Sequence, residues 1–514
     1  MDLPRLTHRP FGIILNLSYN RTIVLYNRTL AREVLVELDP AEIDYFTDAV
    51  VAADPVPYFD YMLAHHPVWR EPKYGVVIVT GYHEALEVYR HPEVYSSINR
   101  TGGPVLDLPV ELAGDDLTDI LEQYRAYFPS NDQLVTFDPP MHTDHRALLM
   151  GLITPKRLKE NEEFLKRTAD RFLDELLPAG QCEFIWEYAK RYAILAVADL
   201  LGVPEEDHPM LLALLAAERG PMLGNLQLQV SHRGSLERLY DYFIDKIERR
   251  RKNPAGDILT GMSLATFPDG TLPDPVHVAR IAANLFAAGN ETTVQLLGIS
   301  LARIADDQAV QDQLRQDTAL VPRFIEETLR IEAPIRGSFR LTKVRASIGE
   351  LDLAPGTVVL LLHGAAGRDA RVFAGPGEFD VQRANARHHL AFGRGIHTCP
   401  GAPLARAEAV YSIRRLLERT ERIEISAEHH GPAGQRRWDL MPSYKFRGHN
   451  HLYLTCTERA AGLWRARAGR AVTRFLPRQR SRRRSRTWPA TACSTPSPKA
   501  AAWSGRSATS AAGR

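Results

Sequence analysis

Phe392-Gly393-Arg394-Gly395-Ile396-His397-Thr398-Cys399-Pro400-Gly401 runs straight into Ala402-Pro403-Leu404-Ala405-Arg406, the opening of a helical stretch that reaches about Arg419. A cysteine just ahead of a helix lies beside unsatisfied backbone N–H groups at the positive end of the helix dipole, which favours the thiolate, the form that ligates metal. The flanking glycines let the backbone approach a flat ligand closely.

Outward from this loop the pattern is mainly helical with minor β structure. Amphipathic or apolar helical periodicity covers Arg157 to Leu177, Trp186 to Leu201, Leu236 to Arg251 and Val276 to Ile304. A further helix follows Pro322 and ends at Ile331. Short strands are expected at Val76 to Thr80, Phe339 to Leu341 and Thr357 to Leu362, with a helix at Tyr82 to Arg90 that Pro92 terminates. Between Val94 and Phe137 the chain is rich in Gly, Pro and Asp, with one short helical stretch at Leu117 to Tyr127. It reads as a long loop, and loops of that length are usually functional or disordered.

The 514 residues are 44% apolar and 25% charged, which is globular composition and excludes collagen-like or wholly disordered chains. The net charge of +2 hides an asymmetry. Residues 459–514 hold 14 of the 64 Lys and Arg and no acid, leaving 50 basic against 62 acidic side chains in the rest. A basic isoelectric point therefore says nothing about nucleic-acid binding by the folded body. The division expected is an N-terminal extension of unassigned role at 1–38, one large domain at 39–458, and a disordered Arg/Ala/Ser-rich tail at 459–514. Four widely spaced cysteines suggest neither a disulfide framework nor a zinc site, and no apolar stretch approaches the roughly 20 residues of a membrane span. A soluble protein of the reducing cytoplasm fits best.

Three further patterns carry chemistry. Ala288-Gly289-Asn290-Glu291-Thr292-Thr293 puts polar residues in the middle of the most apolar helix, where a Thr hydroxyl bonding back to the carbonyl four residues earlier would open a groove. Glu327-Thr328-Leu329-Arg330 sets an acid and a base on one helical face. His142 and Arg146 lie one helical turn apart after Asp138-Pro139-Pro140.

Taken with the cysteine loop, these motifs, in this order, resemble the cytochrome P-450 superfamily of haem-thiolate monooxygenases, bacterial soluble type, from about Asp39 to Leu454. The resemblance implies that superfamily's fold in one haem-binding domain, and haem b (iron protoporphyrin IX) with Cys399 as its axial thiolate and metal ligand. It implies Thr292 holding dioxygen with its waters and Glu291 relaying protons. Phe392, Gly393, Ala288 and Gly289 would lie against the cofactor, and His142, Arg146, Arg340 and His397 would meet its propionates. Glu327, Arg330 and Arg383 would form a buried ion triad serving folding rather than chemistry. Pro400 has no N–H, so one backbone donor beside the sulfur is missing, and a more basic sulfur with a lower iron potential is expected.

The activity so implied inserts one oxygen atom into a lipophilic small molecule of the terpenoid, steroid, fatty acid or polyketide class. Leu285, Phe286, Pro334 and Ile335 are candidate pocket walls, with residues 209–228 as a roof. Arg336 is expected to reach solvent or a propionate rather than a substrate carboxylate. The chain carries no flavin or iron-sulfur segment, so electrons would come from a ferredoxin with its reductase, or a flavodoxin. No specific nucleic acid is expected as a partner. The alternatives are a peroxygenase, a non-catalytic haem or ligand-binding protein of the same fold, and a protein binding anionic surfaces through Arg482, Arg483, Arg484 and Arg486.

Overall fold

Asp274 starts the longest helix by accepting from the Val276 N–H, with Pro275 at its first position, where the missing N–H costs nothing. The helix, Pro275–Asp306, is unbroken through the Gly289-Thr293 interruption, and it is buried on all sides in its C-terminal half, as an all-round apolar stretch requires. Asp307 ends it and at once caps the next helix, Gln308–Gln316, accepting from the N–H groups of Ala309 and Val310.

The computed structural model describes residues 42–216 and 233–459, with the backbone of three antiparallel strands ahead of them, Thr7–Arg9, Gly12–Leu17 and Arg21–Leu25. These fall within one unit, Met1–Trp464, while the second unit, Arg465–Arg514, lies outside the described residues, as does the 217–228 part of the expected roof. Around the central helix pack Lys190–Leu200, Arg233–Lys252, Val321–Ile331 and Ala402–Arg419, and Pro155–Leu176 lies against the last of these. Pro155–Leu176 turns Phe164, Leu165, Thr168, Ala169, Phe172 and Leu173 inward at helical spacing and leaves its charged face to solvent.

The β structure is minor. Its main sheet runs Val68–Arg70, Val77–Val79, Val358–Leu362, Gly337–Thr342, Tyr95–Ser96. Only the pairing of Val77–Val79 with Val358–Leu362 is parallel. Both central strands are buried along their whole length, and the register sets Arg340 opposite Val359. A charged side chain is thereby fixed on a rigid, buried element.

Two expectations change. The segment from Val94 to Phe137 has its expected helical stretch, as Thr118–Gln123 and Arg125–Tyr127, but instead of a free loop it seats Ile98, Leu117, Leu121 and Phe128 in an apolar core with Phe339 and Leu360. Its apolar residues have no period because they anchor separate turns. The stretch expected as one helix from Trp186 begins as a wide π-turn at Ile185–Ala189 before the α-helix Lys190–Leu200. The described cysteines, Cys182, Cys399 and Cys456, are free.

Glu327, Arg330 and Arg383 join in the buried interior. Arg330 forks onto both Glu327 oxygens at 2.8 and 2.7 Å, and Arg383 Nε reaches Glu327 Oε1 at 3.0 Å. The Arg330 donors left over go to the carbonyls of Gly367, Pro376 and Glu378. Gly367 is required here, because a Cβ would stand 2.1 Å from the Arg330 carbonyl oxygen. Both arginines pair with Glu327 and every Arg330 donor is used, which is the condition for burying ions. Replacing Glu327 by alanine is expected to lower stability by about 3–5 kcal/mol in equilibrium urea unfolding, since it strands two buried cations. Removing the exposed Lys166–Glu163 pair should change it by less than about 1 kcal/mol.

Candidate functional site

The cysteine loop is held by its own backbone. Cys399 N–H donates to the Phe392 carbonyl at 2.8 Å, and Gly393 N–H to Leu390 at 2.8 Å. Gly393 and Gly395 adopt φ of +66° and +69°, and a Cβ on Gly395 would meet the Tyr89 carbonyl oxygen at 2.5 Å, so that position excludes any side chain. The Phe392 ring lies under the Arg406 guanidinium at 4.5 Å, and Arg406 in turn is held by Glu326.

Burial pushes the Cys399 thiol up, and the N–H groups of Gly401 and Ala402, with the charges of Arg100 and Arg146, pull it back. Pro400 contributes no donor, but the two amides that follow it do face the sulfur. The helix N-terminus thus supplies what the loop needs despite the proline.

Positive groups converge on this cysteine. Arg146 Nη2 donates to the Thr398 carbonyl at 2.7 Å, and the rings of His142 and His397 stand 4.2 Å apart. Arg340 donates to its neighbour's carbonyl, Phe339, at 2.7 Å and lies over the Tyr89 ring at 5.4 Å. Burial first, and the charges of Arg146 and Arg100 next, push His142 down to about 4, so it is a neutral donor at physiological pH. His397 is pushed far down by burial and then by Arg100, Arg340, His142 and Arg146.

Arg100 belongs to the same group and escaped the sequence reading. Its charge is felt by His142, Arg146, Arg340, His363, His397 and Cys399. It sits in the aperiodic segment after Tyr95–Ser96, where nothing in the pattern singles it out. Among the described residues no Asp or Glu comes within 4.0 Å of Arg100, Arg146 or Arg340. Asp138, whose charge does reach Arg340, is bonded to Ser96 Oγ and Ser97 N–H and faces Lys343 at 3.9 Å.

The groove helix offers the opposite wall. Ala287 and Ala288 are exposed in mid-helix while Phe286 and Asn290 on either side are buried. Thr292 Oγ1 donates to the Ala288 carbonyl at 2.9 Å, the back-bond expected from the sequence. The ladder nevertheless stays closed, and Gly289 serves contact instead: a Cβ there would stand 2.9 Å from Val197 Cγ2 on the crossing helix. Glu291 is buried; it accepts from Gln295 Nε2 at 2.5 Å and faces Lys190 Nζ at 3.9 Å. Lys190 lies 3.7 Å over the Trp186 ring with its side chain 22% exposed.

Arg336 reaches neither solvent nor the cysteine cluster. It is 2% exposed and donates to the carbonyls of Val51 and Ala52, because the chain before Pro55 folds back over it. Tyr89 adds a neutral link, its hydroxyl 2.6 Å from His363 Nε2.

A haem fits this donor set. Buried polar atoms without partners, Arg100 Nη1, His142 Nε2 and His397 Nε2, surround the cysteine together with two further arginines, and two carboxylates are what they lack. A single soft thiolate ligand is the axial arrangement for haem iron.

Comparison with known proteins agrees with this geometry. The cytochrome P450 family model matches residues 236–429. A Mycobacterium tuberculosis protein, cytochrome P450 144, is 32% identical over 384 residues, covering 74% of this chain and 86% of its own. The crystal structure of substrate-free cytochrome P450 CYP150A6 from Mycobacterium marinum superposes with a TM-score of 0.78 at 45% identity, covering 82% of this chain and all of that one. The structure of CYP109E1 from Bacillus megaterium with corticosterone gives 0.67 at 26% identity over 79% of this chain and 98% of its own. Arg100→Ala is expected to cut the haem retained per protein to below about half that of the parent, measured as the Soret-to-280 nm absorbance ratio after gel filtration, because it removes one cation facing the propionates. An unchanged ratio would place Arg100 outside the site.

Proposed function

Since the chain belongs to the cytochrome P450 family of monooxygenases, we propose that it binds haem b through Cys399 and oxidises a lipophilic small molecule of the terpenoid, steroid, fatty acid or polyketide class. The observation that carries this reading is the ring of carboxylate-free cations and buried, unpartnered histidines around Cys399. When bound, the haem supplies the cleavage of dioxygen: one atom enters the substrate and the other leaves as water, with two electrons and two protons consumed.

The chain's own part is binding, access and protons. Arg100, Arg146, Arg340, His142 and His397 would hold the propionates, and Phe392 and Gly393 would lie along the thiolate face. Ala288 has little bulk and would leave room on the other face, with the Gly289 backbone beside it. Protons enter beside Lys190, whose ammonium bridges the surface and Glu291. Glu291 Oε2 passes them towards Thr292 Oγ1, which keeps its lone pairs free because its own hydrogen is committed to the Ala288 carbonyl.

Electrons come from a separate ferredoxin and its reductase, or a flavodoxin. The steroid complexes of the Bacillus megaterium relative support a pocket in this family wide enough for such ligands. No helix among the described residues is long and apolar enough to cross a membrane. A cytoplasmic setting is part of the proposal.

The reduced, carbon-monoxide-treated protein is expected to show the strongly red-shifted Soret band of a thiolate-ligated haem, and Cys399→Ala to abolish it. In an assay with reductase and substrate, Thr292→Ala should lower coupled product formation roughly 10²-fold while leaving that band in place. Full coupling in Thr292→Ala would remove the proton role assigned to this helix.

A further inference from the structure

Beside the cysteine cluster stands a fourth cation that the haem does not account for. Residues 445–447 pair with 334–336: Arg336 N–H donates to the Lys445 carbonyl at 2.8 Å, and Phe446 bridges Ile335. The pairing leads directly into the strand Gly337–Thr342 that carries Arg340. From there the Lys445 side chain reaches across to the segment of Arg100, and its Nζ donates to the Thr101 carbonyl at 2.6 Å.

A carbonyl accepts a hydrogen bond but does not neutralise a charge. Among the described residues no Asp or Glu lies within 4.0 Å of Lys445, and Arg100 Nη1 next to it is buried without a partner. Burial, and then the Arg100 charge, push Lys445 down to about 8, the shift of an ammonium held without a counter-ion.

The charges do not balance with the haem alone. Arg100, Arg146, Arg340 and Lys445 are four cations. Two propionates offset two of them, while ferric iron, the porphyrin core and the thiolate sum to zero. Two positive charges remain without a counter-ion in a half-buried setting, where uncompensated charge is costly.

We propose that Lys445, beside the propionate-facing Arg100, forms a subsite for the carboxylate of a lipophilic acid, so that the substrate class is a fatty acid or similar amphiphile rather than a neutral hydrocarbon. The proposal rests on the haem reading above. Ile335 and Phe446, whose backbones bridge beside Lys445, are the apolar residues of this pairing available to the chain that follows the headgroup.

The test uses the full-length, haem-loaded protein and two matched probes, lauric acid and its methyl ester. Binding is followed by equilibrium dialysis of labelled ligand and by the Soret shift. At pH 7 lauric acid is expected to bind at least about 10-fold more tightly than methyl laurate, the span of a charge-assisted hydrogen bond. The preference should shrink by pH 9.5, because Lys445 loses its proton near pH 8. Lys445→Met and Lys445→Gln should erase the preference and leave ester binding within about twofold, and Lys445→Arg should keep it.

Equal binding of acid and ester by the parent, binding of neither, or a preference that survives Lys445→Met overturns the subsite. The carbon-monoxide band separates the two levels of the argument. Its presence in the parent and in Lys445→Met means that a lost preference belongs to Lys445. Its absence from the parent sinks the haem reading, and the subsite with it.

Discussion

Burying positive charge without negative charge to meet it is the constraint around which this protein is arranged. Arg100, Arg146 and Arg340 converge on Cys399 with no acid among the described residues in contact, at positions fixed by a loop, a helix and a fully buried strand. Such a cluster is unfavourable in isolation. It becomes favourable only with anions from outside the polypeptide, and a haem brings two. The fold is rigid where these cations are mounted: Arg340 is locked in register opposite Val359, and Arg146 is tied to the backbone of the cysteine loop itself.

The ion triad of Glu327, Arg330 and Arg383 solves the same problem the other way. There the chain supplies both signs, spends the spare donors on backbone carbonyls and seals the group from water. One cluster is complete within the polypeptide and the other is completed by a ligand. The two lie on connected scaffolding, since the helix Val321–Ile331 that bears the triad also carries Glu326, which holds Arg406 and His389 beneath Phe392. Folding and cofactor capture are therefore coupled through adjacent residues of one helix.

What the sequence revealed follows from where its information is local. The cysteine loop, the Ala288–Thr293 interruption and the Glu327–Arg330 pair are each contained in a few consecutive residues, so spacing alone exposes them, and their helices appear within a few residues of the expected limits. Arg100 and Lys445 lie 345 residues apart and meet only because residues 445–447 pair with 334–336 while Lys445 reaches Thr101. No periodicity marks either. Arg336 shows the reverse failure: an arginine near a pocket wall suggests a ligand or solvent, but the carbonyls of Val51 and Ala52, distant in sequence, consume it.

The groove helix shows how far a local signal can be read. Its threonine back-bond was legible, yet a back-bond alone did not open the ladder: Pro275–Asp306 is one continuous helix, packed by crossing and flanking helices. Space on that face comes from side-chain size rather than backbone distortion: Ala287, Ala288 and Gly289 are small where their neighbours are not. Gly289 also lets the helix bearing Val197 approach, and the same crossing brings Lys190 to Glu291. A side chain at Gly289 would push that helix away, so the glycine stands in mid-helix where Lys190 and Glu291 are brought together.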